Sequence, residues 1–489
     1  MRKNKIKIWC LLMIFLGLIS PSIHNMTGYA QGLDWLFGDQ GRQIYSKQEL
    51  SQEDLEIINN LYSSLKTFYI EDVSKEQLME GALKGMVSAL GDPYSEFLNA
   101  DESQAYEETE EGSFSGVGIQ FMSKNGLITV ISAIEGTPAG EAGIQPNDII
   151  KMADGTELTD MNTTEVIQLI RGPIGSEVTL TIQRADQVFD VILKREEIPI
   201  ITVEGSIDEN HKKVGKVQIS QFNGTTYNEL IEVVTNLREE GAKSFVFDLR
   251  YNPGGLLDQA LQISNMFLED GQIIMQMQEG KEEPYTYEAS DKDYGDFQIT
   301  EPYVILVNEG SASASEILTG AVKENTDHPI VGGTTFGKGS VQTFTNPSYL
   351  GELKITFAKW LLPSGTWIHD TGIEPTVEVE AEAVEKAITI NPENEIQIGD
   401  VTAEVESLGL ILDALGYLEE PLKYFNESME VAVKAFQKDN QLEETGIVTG
   451  ETTNKLSEEI RYYFETHDKQ YEEAVKALQE YEAELEQAA

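Results

Sequence analysis

The sequence predicts a multidomain α+β protein, and three observations carry that expectation. A chain of 489 residues exceeds what one hydrophobic core organises, so roughly three or four domains are expected. The spacing of apolar residues changes along it: helical over 46–98, short alternating strands over 112–195, strand, glycine turn and helix over 200–380, helical again over 404–460. A hydrophobic content of 40% is ordinary for folded protein, so each stretch has material for a core.

Charge and termini narrow the setting. The formal net charge of −49 argues against nucleic acid, which needs clustered Lys and Arg, and against broad attraction to anionic lipid. The acidic surface reads as solubilising. Met1 to Lys7 is basic and Ile8 to Ile19 almost wholly apolar, which is the pattern of an export signal or retained anchor over 1–30, with Gly28-Tyr29-Ala30 as a cleavage site. Cys10 is the only cysteine and lies inside that segment, so the remainder has neither disulfides nor a thiolate metal site.

Each stretch then yields an element order. Leu50, Leu55, Ile58, Leu61 and Leu65 recur at helical spacing within a helical region, 40–100, and Leu90-Gly91-Asp92-Pro93 is a helix stop. Ser115 to Phe121, Leu127 to Ile134, Val178 to Arg184 and Val188 to Leu193 read as strands of a unit over 105–197. Val214 to Ile219, Ser244 to Arg250 and Tyr303 to Val307 are apolar strands of an α/β core over 198–385, which also takes in part of 40–100. Val405, Leu408, Leu412 and Leu415, then Val431 to Gln437, mark a small helical unit over 400–460. The Glu- and Ala-rich 461–489 reads as an acidic, solvated helical tail.

The chemistry concentrates in two turns. Ser311, Ser313 and Ser315 stand at a strand-to-helix turn, where helix amides favour a developing anion. Taken alone, Ser313-Ala314-Ser315-Glu316 reads first as a capping box, and the surrounding motifs reverse that weighting. A serine nucleophile needs a base, and none of the five histidines sits in a recognisable setting for one. Lys338, between Gly337 and Gly339, is the base to consider, provided its site keeps it neutral. Gln342 can bond the amine nitrogen without adding charge. Gly332, Gly337 and Lys338 also satisfy a phosphate-loop spacing, but Gly339 stands where a magnesium-binding hydroxyl belongs, so that reading is rejected. Tyr251-Asn252-Pro253-Gly254-Gly255 is a second glycine turn, and Asp248 with Arg250 reads as a structural pair. No His, Asp or Glu cluster has metal-ligand spacing, and no cofactor is expected.

These motifs, in this order over 46–380, resemble the carboxyl-terminal processing peptidases, the tail-specific Ser/Lys proteases of family S41. Pro138 to Ile144 with Asp148-Ile149-Ile150 resembles a PDZ domain, and Val431 to Gln437 is similar to the three-helix peptidoglycan-binding domain. The resemblance implies that Ser313 is the nucleophile, Lys338 the base, Gln342 its orienting partner, and the amides of Ala314 and of Gly254 or Gly255 the oxyanion donors. It implies that Gly116, Val117, Gly118 and Ile119 form the loop that receives a peptide C-terminus; Arg171, after a helical stretch, is by its position a candidate for gating or for a local carboxylate pair. It further implies protein substrates with accessible C-terminal tails, peptidoglycan as a second partner, a homodimer paired through the N-terminal helices, and a place on the outer face of a bacterial membrane. The competing class is a non-catalytic envelope scaffold binding protein tails and wall glycan.

Overall fold

The computed structural model describes residues 50–488, apart from 125, 135, 162 and 186. The segment read as an export signal or retained anchor, with Cys10, lies outside the described residues. The described residues divide into two bodies, one formed by 50–103 with 342–356, the other by 104–341 with 357–488.

In the first body, Ser51 caps the helix Gln52–Phe68 and Ser74 the helix Lys75–Ser88, each reciprocated by the third helical residue, Asp54 or Gln77. Neither helix buries a residue: Leu55, Ile58, Leu61 and Leu65 are all exposed. The helical pattern extends less far than its spacing suggested. Gly91, at φ 68°, follows the second helix, and Glu96–Asn99 is a strand, antiparallel to Gly351–Lys354.

The second body holds three apolar cores. In the first, an antiparallel sheet runs Ile119–Lys124, Leu127–Ala133, Ile149–Ala153, Glu177–Arg184, Gln187–Lys194, closed by the helix Thr163–Ile170 over Val117, Ile128, Val166 and Leu180. Ile119–Lys124 is one edge strand and Gln187–Lys194 the other.

The second core lies on a six-stranded sheet ordered Val203–Ile207, Val214–Ile219, Ser244–Asp248, Tyr303–Val307, Ile330–Gly332, Val377–Glu378. It is parallel except at the first pair. Its two central strands are buried throughout, which is why they read as continuous apolar runs rather than alternating ones. Helices Thr226–Glu240, Leu257–Asn265 and Ala314–Asn325 cover one face. The other face is covered by the helix Lys469–Ala488, whose Tyr471, Ala474, Val475 and Leu478 pack on Val246, Val304, Leu306 and Val331. The segment read as a solvated tail is thus a layer of the core. Its stripe is hard to read in sequence because small residues, Ala474, Val475 and Ala477, make up most of it among glutamates.

The third core belongs to the helices Ala403–Ala414, Glu427–Asp439 and Glu451–Thr466. Gln437 is almost fully buried and bridges their connections: its Nε2 donates to Thr445, Ile447 and Thr452, and its Oε1 accepts the Gly446 amide. The Phe436-Gln437 signature therefore builds this fold, independently of any ligand.

Candidate active site

Three chain segments meet at the carboxyl ends of the parallel strands, where an open α/β sheet leaves its crevice. After Tyr303–Val307, residues 308–312 turn into the helix Ala314–Asn325. After Ser244–Asp248 comes the glycine turn, and after Ile330–Gly332 comes the lysine loop.

The three serines differ in what their hydroxyls do. Ser311 is fully buried, donates to the Leu249 carbonyl at 2.8 Å and accepts the Asn308 amide at 3.0 Å. Ser315 is fully buried and donates to the Asn252 carbonyl at 3.0 Å. Both are committed to backbone. Ser313 is half-buried and adopts φ 54°, ψ −112°, a conformation that non-glycine residues hold only when their surroundings impose it.

What imposes it is Glu316. Its Oε2 accepts the Ser313 amide at 2.8 Å and the Lys338 amide at 2.8 Å, while its Oε1 accepts the Gly337 amide and the Thr335 hydroxyl at 2.6 Å each. One buried carboxylate thus fixes the serine turn and the lysine loop to each other. Burial raises its pKa, and the four donors work against that rise. The capping-box reading of Ser313 and Glu316 finds its carboxylate half, but the reach to the lysine loop, roughly twenty residues on, was not legible as a cap.

The rest of the lysine loop is held as closely. The Gly337 carbonyl accepts the Asp370 amide, the Lys338 carbonyl accepts the Trp360 indole at 2.7 Å, and the Gly339 carbonyl accepts the Trp367 indole at 2.8 Å. The Gly339 amide donates to His369 Nδ1 at 3.2 Å, which requires that nitrogen unprotonated. A Cβ on Gly339 would lie 2.7 Å from the Trp367 indole nitrogen, so the Gly-Lys-Gly pattern answers a steric demand. Lys338 itself is half-buried.

The glycine turn packs against Ser313. A Cβ on Gly254, at φ 96°, would stand 2.7 Å from the Ala314 amide nitrogen and 2.8 Å from Ser313 Cβ. The Gly254 amide itself donates to Asn252 Oδ1 at 2.9 Å. Asn252, fully buried, also accepts the Ala312 amide on its carbonyl at 3.0 Å, locking the two turns in register. Gly255 passes so near Phe222 that a Cβ would meet its carbonyl oxygen at 2.0 Å. Asp248 and Arg250 form the structural pair expected of them, at 2.7 Å. Gln342 lies in the other body, where its Nε2 donates to Thr356 Oγ1 at 3.1 Å.

The loop 116–119 shows the same economy. Gly118, at φ 78°, sits where a Cβ would overlap Thr137, and the Val117 carbonyl accepts the Ala139 amide. Gly116 ends one strand and Ile119 begins the exposed edge strand. Arg171 is ion-paired with Glu108 and lies 4.4 Å over the Phe114 ring. Both partners are in the segment that leads into this unit. Among the described residues, no group of three or more metal-ligating side chains converges.

Comparisons with known proteins agree with this layout. The model of peptidase family S41 matches residues 213–379, that of the activating protease CtpB N-terminal domain 31–102, a PDZ model 129–184 and a putative peptidoglycan-binding model 402–456. The carboxy-terminal processing protease CtpA of Bacillus subtilis is 36% identical over 479 residues, covering 97% of this chain and 99% of that one. A probable CtpA-like serine protease of Staphylococcus aureus is 35% identical over 480 residues, covering 98% of this chain and 94% of that one. Among solved structures, the photosystem II D1 C-terminal processing protease is similar at 26% identity, with a TM-score of 0.39 over 67% of this chain and 87% of that one.

Proposed function

The chain belongs to the carboxy-terminal processing serine proteases of family S41, and from that premise we propose that Ser313 is its nucleophile, Lys338 its general base and Gln342 the group that orients the lysine. The observation that carries this reading is the Glu316 carboxylate, which ties the Ser313 amide and the Lys338 amide to one anchor. Ser313 is also the one serine of the three whose hydroxyl is not committed to a backbone carbonyl.

Neutral Lys338 takes the Ser313 proton as the hydroxyl attacks a scissile carbonyl. The Ala314 amide and one amide of the glycine turn receive the oxyanion. Since the Gly254 amide is already given to Asn252, the Gly255 amide is assigned as the second donor. The lysine ammonium then protonates the leaving amine, and water resolves the acyl-enzyme. The PDZ domain takes a substrate C-terminus at 116–119 and pairs it along the Ile119–Lys124 edge. Arg171, pinned to Glu108, is the candidate for coupling that capture to the rest of the protease.

The substrates are proteins with accessible C-terminal tails at the cell envelope. The peptidoglycan-binding domain supports an envelope location with wall glycan as a partner. No described helix is long and apolar enough to cross a membrane, so export or anchoring rests on residues 1–30. The exposed leucines and isoleucines of the N-terminal helices support a homodimer.

Mass spectrometry of unstructured peptides with varied C-termini tests the proposal. Tail-dependent cleavage by the unaltered protein, abolished by Ser313→Ala and by Lys338→Ala, is expected. Cleavage that survives both would overturn the assignment. Tail binding without cleavage by the unaltered protein would favour the scaffold.

A further inference from the structure

The C-terminal domain reaches the glycine turn at two consecutive residues. Arg250, two residues past the end of the buried strand Ser244–Asp248, forms a fork with Asp468: Nη1 to Oδ1 at 2.8 Å and Nη2 to Oδ2 at 2.6 Å. The guanidinium side chain is 14% exposed and also binds Asp248 through Nε and Nη2. Burial works to discharge it, but the two carboxylates prevail and hold it charged. Asp468 is itself fixed, because its Oδ1 accepts the Tyr471 amide in the first turn of the last helix. The next residue, Tyr251, donates its hydroxyl to Glu385 Oε2 at 3.1 Å.

Glu385 and Asp468 bracket the three-helix domain in sequence. Glu385 lies in the turn Ala383–Lys386, whose Val384 is part of that domain's apolar core. Asp468 follows the domain's last helix, Glu451–Thr466, by two residues. Between these anchors the backbone is held against its preference, since Tyr251 has φ 58°. Tyr251 is followed directly by Asn252, which sets Gly254, Ala312 and Ser315. Its own amide goes to Asn308, and its Cα limits what can stand at Gly310 of the serine turn. A shift at 250–251 is therefore passed to both turns of the site.

We infer that Arg250 and Tyr251 are positioning residues for peptide hydrolysis, and that the C-terminal domain, through Asp468 and Glu385, holds the oxyanion turn in register with Ser313. The domain is on this view a working part of the protease as well as a wall-binding appendage. The inference rests on the Ser313/Lys338 reading.

The test compares full-chain Asp468→Ala, Asp468→Glu, Tyr251→Phe and Glu385→Gln with the unaltered protein and Ser313→Ala on one cleavable peptide. Asp468→Ala is expected to lower kcat by about 10- to 100-fold, the cost of misplacing reacting groups by an ångström or less, with KM within about threefold. Asp468→Glu, which can restore the fork, is expected to recover part of that loss. Tyr251→Phe removes the bond to Glu385, and Glu385→Gln replaces its charged acceptor with a weaker neutral one; each is expected to lower kcat by about threefold, with peptide-tail affinity unchanged. A folded Asp468→Ala protein with unaltered kcat would overturn the inference. Should that variant fail to fold, unaltered kcat in both Tyr251→Phe and Glu385→Gln would overturn it instead. If Ser313→Ala cleaves normally, the site reading itself fails and the inference falls with it. An inactive Ser313→Ala beside a fully active Asp468→Ala removes the inference alone.

Discussion

The lysine loop and the N-terminal helices are opposite solutions to the same problem of placing a short segment. Every backbone amide and carbonyl from Gly337 to Gly339 has a named partner, supplied by Glu316, Trp360, Trp367, His369 or Asp370. The helices Gln52–Phe68 and Lys75–Ser88 are well capped, yet bury no residue. One segment is complete within its own body and the other is unfinished. Apolar periodicity alone does not separate them, because it says which face is apolar and not whose surface covers it.

The largest expected break in this comparison is at Glu316. Its two oxygens accept four donors, so Gln is no substitute: in either orientation its amide group would face two of those donors. Glu316→Gln and Glu316→Ala are both expected to lower kcat by about 100-fold or more, as the serine and lysine lose their common anchor. A destabilisation of about 3 kcal/mol should accompany either, from buried donors left unmet. Peptide kinetics and thermal melts read the two effects, and a Gln variant close to unaltered activity would show that the carboxylate does not set the site. Next in size is Gly254→Ala. At φ 96° its methyl would press on the Ala314 amide and Ser313 Cβ, so a loss of about 100-fold in kcat is expected with a smaller change in melting temperature.

These residues also mark how far the sequence can be read. The two buried strands were legible because their apolar runs are local, and Ser313 and Lys338 because they stand in short motifs. Glu316 was visible only as a cap. Trp360, Trp367 and His369 were not visible at all, since a side chain that bonds a backbone more than twenty residues away leaves no periodic trace. Asp468 was hidden further, at the head of a helix whose stripe, largely of Ala and Val, resembles a solvated one until the sheet it covers is known. Gln437 was legible as part of a fold motif, and its four bonds show why that motif builds the fold.

The unfinished half of the comparison is sharpened by charge. Ile58 and Leu61 stand 46% and 62% exposed on the first helix. If a second copy covers them, Ile58→Glu with Leu61→Glu should weaken association by about 3–5 kcal/mol in total, the transfer energy of two large apolar side chains. Sedimentation would then show a dimer becoming a monomer at micromolar concentration, with the melting of the second body unchanged. A chain that is monomeric before substitution removes the dimer from the proposal.

The smallest effect expected is a pH dependence confined to the finished half. His328 stacks on Tyr303 at 3.7 Å, with Tyr481 of the last helix 4.8 Å away, and its Nδ1 is buried. Burial lowers its pKa to about 4, against a small opposing pull from Asp327. Between the ordinary value near 6.5 and about 4, the unfolded chain therefore binds the proton that the folded chain refuses. Stability must fall as pH falls through that window, by about 1–3 kcal/mol once partial solvent access is allowed for. His328→Phe keeps the stack, removes the titration, and should flatten the melting temperature between those two pH values. The first body has no histidine among its described residues, so its helices should keep their signal over the same range. An equal loss in both bodies would mean that acid acts through the carboxylates they share and not through the closed face of the sheet.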